Sequence, residues 1–342
     1  MHNMNLRAVL APLLCLAPLF LQIPASAAEP EVAIGNGPLK AKVYLPAPKT
    51  GFYQGTRFDW SGVIHSLTFK GHDYYGPWFQ ERRADVKDFV YEGDKVVTGP
   101  ASSITGPVEE YAPLRYEEAP AGGVFVKLGI GALKKPDAAA YDHYKTYEFV
   151  DGGKWTVKNG KDWVEFQHEL NAPSGYGYVY TKRVQLVKGK PQMVLSHSLK
   201  NTGKMAIKTS GYNHNFLTLD GKPAGPGFTI STPFELKTPR PMQGDLATVA
   251  GKQLAYQKKL QGEDRVTTPF TGYSGSPSDY DFRIESKEAG AGMRVTGDKP
   301  LARAMMWSIR TVVSVEPFID INVEPGQTFD WKYTYDYYTL DK

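Results

Sequence analysis

Two side chains in this sequence have the chemistry of a proton-transfer pair. The first is His214, in "SGYNHNFLTLDG" (210–221), where it sits between Asn213 and Asn215, with Tyr212 and Phe216 outside them and an Asp220-Gly221 turn following. A histidine titrates at about 6.5 when unperturbed and can give or take a proton near neutral pH. The two amides can orient its ring or bind hydroxyls. A satisfied interior histidine fits the same residues. The second is Glu316, in the apolar run "TVVSVEPFIDI". Burying a carboxylate there is costly unless it is paired or functional, and partial burial raises its pKa towards that of a usable general base. A salt bridge to Arg57 or Arg310 is the structural alternative. Pro317 limits ladder pairing, so the segment reads as a strand end or edge.

A third stretch, "GTRFDWSGVIHSLTFKGHDYYGPWF" (55–79), could bind what such a pair acts on. Arg57 and Asp59 flank Phe58, and Trp60, Tyr74, Tyr75, Trp78 and Phe79 follow. Paired donors and acceptors beside flat aromatic faces suit a sugar, whose hydroxyls need partners and whose C–H faces stack on rings. An ion pair on a strand edge above core aromatics is the alternative.

The elements that must carry these residues are strands. Phe329, Trp331, Tyr333, Tyr335 and Tyr337 alternate with polar residues, and so do Met193, Leu195, His197 and Leu199. Val124, Val126, Leu128 and Ile130 are expected on one face, and "YVYTKRVQLV" reads as another strand. Asn159-Gly160, Lys188-Gly189, Asn201-Thr202-Gly203 and Pro325-Gly326 supply turns. Residues 267–282 read as an ordered surface loop. Many strands, few helical patterns and no linker predict an all-β chain built as one large antiparallel sandwich.

Residues 1–27 read as a secretory signal peptide: Arg7, an apolar run, then Ala25-Ser26-Ala27. Residues 28–342 are then the mature single domain, exported to the periplasm or secreted. The one cysteine, Cys15, falls in the leader. Core packing alone must therefore stabilise the rest. A net charge of +4, one unit of it from Arg7, is too mild to argue for nucleic acid. No metal-ligand spacing is visible, with Asp142-His143 and Glu148 the nearest approach. No phosphate loop, dinucleotide fingerprint or nucleophile elbow occurs. Neither metal nor cofactor is expected, and no stretch after the leader reads as a membrane span.

Taken in order, "GTRFDWSGVIHSLTFKGHDYYG", "SLKNTGKMAIKTSGYNHNFLTLDG" and the C-terminal run from "DFRIESKEAGAG" to "TFDWKYTYDYY" resemble the aldose 1-epimerase, or galactose mutarotase-like, superfamily. The resemblance implies a large antiparallel β-supersandwich with a sugar site on its concave face. It implies Glu316 as the base that takes the anomeric hydroxyl proton and His214 as the acid that protonates the ring oxygen. It implies Arg57 as a substrate ligand. The family's second histidine has no counterpart between His72 and His143, so Glu109, Glu110, Arg115 or His72 are the candidates for its place, and Glu235 is the candidate for its substrate-binding aspartate.

The expected partner is a mono- or oligosaccharide, and the expected activity is anomer interconversion. Substrate contacts are expected from Arg57, Asp59, Trp60, His72, Trp78, Glu109, Glu110, Asn213, Asn215 and Glu235. Two alternatives use the same scaffold. One is a glycosidase or lyase with Glu109 or Glu110 as the second acid–base group. The other is a non-catalytic glycan-binding protein. An acid–base role requires His214 and Glu316 to face one pocket, a sugar ring apart.

Overall fold

Alternation along each strand decides which side chains meet, because successive residues point to opposite faces. The computed structural model describes residues 29–240 and 242–341. The leader read at 1–27 lies outside the described residues. A ten-stranded sheet runs in the order Lys154–Asn159, Trp163–Asn171, Gly177–Leu186, Gln192–Asn201, Thr328–Thr339, Ala291–Gly297, Asp281–Ser286, Phe228–Ser231, Gln253–Tyr256, Ala247–Ala250. A five-stranded sheet runs Val266–Phe270, Arg303–Ile309, Val312–Val323, Ile207–Phe216, Gly106–Tyr111. Smaller sheets are built from residues 31–75, 81–98 and 124–151. Every pairing in the two main sheets is antiparallel.

The aromatic C-terminal strand occupies the middle of the large sheet and buries Trp331, Tyr333, Tyr335 and Tyr337. Met193, Leu195 and Leu199 pack beside them, and Val315, Ile319 and Ile321 of the five-stranded sheet join the same core. A second core cluster gathers Phe58, Trp60, Trp78, Phe125 and Phe216. Among the described residues no helix is long and apolar enough to cross a membrane.

Three local expectations are corrected. Residues 124–130 are not one strand: the strand is Val124–Lys127, and Gly129 turns the chain at φ +69°, where a Cβ would collide with the Asp59 carboxylate. Residues 267–282 are not one loop, because Val266–Phe270 is the edge strand of the five-stranded sheet, a position that tolerates Pro269. Glu316 and Pro317 lie inside a twelve-residue strand at the centre of that sheet, not at a strand end.

The sheet accommodates Pro317 by parting locally. The strand Val312–Val323 pairs with Ile207–Phe216 from Ile207↔Val323 to Tyr212↔Phe318 and again at Leu217↔Val313. Between those points the Asn215 side chain bridges the strands, donating to Val315 O at 2.8 Å. His214 and Glu316 stand beside this gap.

Candidate active site

The five-stranded sheet has one face against the large sheet and one face on a cavity of about 400 Å³, within the span of about 300–1,000 Å³ typical of small-molecule sites. Register places the cavity residues. Tyr212 lies opposite Glu110 on one side and Phe318 on the other; Arg303 lies opposite Phe318, Met305 opposite Glu316, and Trp307 opposite Ser314. With His214 and Phe216 these form the floor, while Arg57, Asp88, Ser102, Tyr141, His143 and Tyr144 arrive from outside the sheet.

At the centre, His214 Nε2 lies 3.2 Å from Glu316 Oε1, and Ser314 Oγ lies 2.8 Å from His214 Nδ1. The imidazole stacks on Phe216 with ring centres 3.6 Å apart, and the edge of Trp307 closes another side at 5.3 Å. The ring is therefore held on both nitrogens and one face. Burial pushes the Glu316 carboxyl from 4.5 up to about 7, with Arg57 opposing and Glu110 reinforcing the shift. Burial, then the Arg57 charge, pushes His214 well below the usual histidine range.

Glu110 is held the opposite way. Arg57 Nε donates to its Oε2 at 2.7 Å, and Tyr212 Oη donates to the same oxygen at 2.6 Å. Lys127 Nζ stands 3.7 Å and His143 Nδ1 3.4 Å from Oε1. Burial alone would raise its pKa, but Arg57, Lys127 and His143 outweigh it and hold the carboxyl well below the usual range. Lys127 is itself fully buried, and burial lowers its ammonium to about 8 against the pull of Glu110. Arg57 also donates to Tyr212 Oη at 3.1 Å and lies over the Phe58 ring. Of the two glutamates in the cavity, Glu110 is thus held as a carboxylate, and Glu316 can hold a proton at neutral pH.

The opposite face carries a second polar cluster, out of the cavity. Glu109 Oε2 pairs with Lys182 Nζ, and Oε1 lies 2.9 Å from His197 Nε2. Lys182 also donates to Ser61 O at 2.9 Å, and Asp59 Oδ2 accepts from Ser61 Oγ and Tyr180 Oη. Asn213 donates to Tyr335 Oη, which donates to Asn215 Oδ1, both at 2.8 Å. Lys182 and His197, more than enough to offset burial, lower the Glu109 pKa.

Of the residues expected to form a site, the structure brings together His214, Glu316, Arg57, Glu110 and Trp78. Trp78 is stacked on Phe216 and donates its Nε1–H to Ile104 O, so it contributes a ring edge. The others stand elsewhere. Asp59, Glu109, Asn213 and Asn215 belong to the inter-sheet cluster, because strand alternation turns 109, 213 and 215 away from 110 and 214. Trp60 donates to Gly55 O inside the second core cluster. His72 pairs with Asp220 at 2.8 Å, next to the turn after the His214 strand. Glu235 is exposed, near Gly251. His214 and Glu316 face one cavity but touch, where a ring's separation was expected.

The residues that sequence reasoning missed include His143, Tyr144, Tyr212, Arg303, Trp307 and Phe318. The period-two run Arg303, Met305, Trp307 in "RAMMWSI" is a signal that finds three lining residues. His143 comes from a loop, and no local pattern announces its approach to Glu110. Of the candidates for the second histidine's place, Glu110 lines the cavity and Glu109, Arg115 and His72 do not; His143 stands beside Glu110 there.

No protein-family model matches the chain, and no curated protein matches it in sequence. Solved structures do match in shape. A galactose mutarotase related enzyme from Lactobacillus acidophilus superposes with a TM-score of 0.54 at 11% identity, over 91% of this chain and 99% of that one. A candidate aldose 1-epimerase from Escherichia coli gives 0.53 at 15% identity, over 91% and 99%. An aldose epimerase homologue from C. elegans gives 0.52 at 13%, over 92% and 100%. Sheet order, antiparallel pairing and these near full-length superpositions together establish that this chain has the galactose mutarotase-like β-sandwich fold.

Proposed function

We propose that the protein interconverts the anomers of a sugar by acid–base ring opening, with His214 and Glu316 as the catalytic pair. The observation that carries this reading is the contact between His214 Nε2 and a Glu316 carboxyl raised to about 7, on the floor of an aromatic-lined cavity. Below about pH 7 the pair holds one transferable proton. Passed across the 3.2 Å contact, that proton sits on His214 and leaves Glu316 as a carboxylate.

The direct contact suits this chemistry. In a cyclic hemiacetal the ring oxygen and the anomeric hydroxyl oxygen are bonded to the same carbon, so an acid and a base that act on both must stand close together. Glu316 takes the hydroxyl proton, His214 Nε2–H protonates the ring oxygen, and the bond between C1 and the ring oxygen breaks to give the open-chain aldehyde. Rotation about C1–C2 presents the other carbonyl face. Closure reverses both transfers and restores the pair, so no proton is gained or lost over the cycle. The Ser314 contact at Nδ1 leaves Nε2 to face the sugar.

Cleavage of an oligosaccharide has less support. It needs a second carboxyl free to act on the sugar; Arg57 holds Glu110 as a carboxylate, and Asp88, the third carboxyl lining the cavity, is engaged by Ser102 Oγ. The place of Glu110 is as a fixed acceptor for substrate hydroxyls, beside Arg57 and His143.

Exchange NMR of anomer interconversion over a panel of hexoses, pentoses, uronic acids and disaccharides tests the proposal. Acceleration of one sugar is expected, and loss of it in Glu316→Gln. The rate is expected to hold in mild acid and to fall about tenfold per pH unit above about 7, as the pair loses its proton. A folded protein that accelerates no sugar would leave glycan binding as the reading of this cavity.

A further inference from the structure

The two arginines of the cavity are in opposite situations. Arg57 is buried and its charge is matched by Glu110 at 2.7 Å. Arg303 lines the same cavity, is exposed, and among the described residues has neither a carboxylate at salt-bridge distance nor a hydrogen-bond acceptor in the protein. Its guanidinium lies over the Phe318 ring, 3.8 Å from the centroid. Stacking on an aromatic face fixes the plane of the guanidinium while leaving its edge of N–H donors free, the arrangement that receives a carboxylate or phosphate in two parallel hydrogen bonds.

Register gives the reach. Met305 lies opposite Glu316, and Arg303 is two residues further along on the same face. Two strand residues span about 7 Å. That is the scale of a pyranose ring with one exocyclic group, measured from the anomeric carbon. A sugar with its anomeric centre at Glu316 and its ring over Phe318 brings the far substituent to Arg303.

We propose that the sugar bound here carries an oxyanion, a carboxylate or a phosphate ester, on the side of the ring away from the anomeric carbon, and that Arg303 is the residue that recognises it. The orientation of the sugar rests on the anomeric reading of the His214–Glu316 pair. The anion contact itself does not require catalysis.

Binding to the Glu316→Gln protein separates the two. Trp78 and Trp307 line the cavity, so tryptophan fluorescence reports occupancy. The protein is titrated with glucose, galactose, their uronates and their 6-phosphates, with inorganic phosphate alongside, and the series is repeated with Arg303→Gln and Arg303→Lys added. One charged series is expected to bind about ten- to a hundredfold more tightly than its neutral parent, the gain of a charge-assisted hydrogen bond. Arg303→Gln is expected to abolish the preference, and Arg303→Lys to restore part of it. Whether uronates or phosphates are preferred identifies the anion. Neutral sugars binding as tightly as both charged series, no charged sugar binding at all, or a preference that survives Arg303→Gln would overturn the inference. A preference seen alongside no anomer exchange by the wild-type protein would overturn the catalytic reading and leave the anion site standing.

Discussion

Glu109 and Glu110 are neighbours in the chain, and both are buried against cations, yet they belong to different kinds of place. Glu109 points between the sheets, away from the cavity that holds His214, and Lys182, His197 and Asn213 surround it. Glu110 points into the cavity, where Arg57, Tyr212 and His143 leave room for a ligand. Asn213, His214 and Asn215 repeat the lesson one strand over. A dry polar cluster finds its partners only within the protein; here His197 Nδ1 and Asn213 Oδ1 go without one among the described residues, and the bonds the other members make fix how the sheets pack. A wet one can leave donors and carboxyls for something that binds.

The sharpest test of that contrast is to neutralise each glutamate. Glu109→Gln leaves Lys182 between the sheets with only Asp59, at 3.7 Å, as counter-charge, and a loss of up to about 3–5 kcal/mol in denaturant-induced unfolding is expected. Glu110→Gln should cost less, because water in the cavity can solvate Arg57, and the buried Lys127, its ammonium already lowered to about 8, keeps its bonds to Arg57 O and Tyr141 Oη; the main effect should be on sugar affinity. Equal losses would mean the two faces are equivalent.

Glu316→Gln should work in the opposite direction. The folded pKa of Glu316 lies above the ordinary 4.5, so the stability it contributes is fully present below about pH 4.5 and is lost as pH rises through about 7. The variant is therefore expected to unfold later than wild type at pH 8, by up to about 3 kcal/mol, and to show no such gain near pH 4. No stabilisation at pH 8 would mean that Glu316 is better solvated than its surroundings imply.

Asn215→Ala removes the side chain that bridges the gap at Pro317 and leaves Val315 O without that partner. A loss of about 1–3 kcal/mol is expected in unfolding, with sugar affinity changed far less than by Glu110→Gln. The smallest effect expected is that of Ser314→Ala. With Nδ1 unheld, the imidazole populates both tautomers, and kcat should fall several-fold while KM stays put and the pH profile broadens. A fall in thermal stability alone would make Ser314 a packing residue.

These contrasts also show what the sequence could and could not reveal. Period-two patterns identified the aromatic C-terminal strand and the His197 strand, because one face of each is apolar. The same rule was ambiguous at "YNHNF", where both faces carry polar groups, and nothing local says which face meets a cavity. Asn213 and Asn215 are therefore expected at the site with His214, although their side chains point between the sheets. Pro317 misled in the same way: a proline argues against a central strand unless a side chain such as Asn215 replaces the missing ladder. His143 and Lys127 reach Glu110 only through tertiary packing, which leaves no trace in spacing.

The edge strand Val266–Phe270 has a consequence for self-association. It is five residues long, it contains Pro269, and it carries Thr267 on the cavity rim. A short edge with a residue that cannot donate is a poor template for strand addition. Sheet-to-sheet polymerisation is thereby discouraged along a border where it would also cover the cavity.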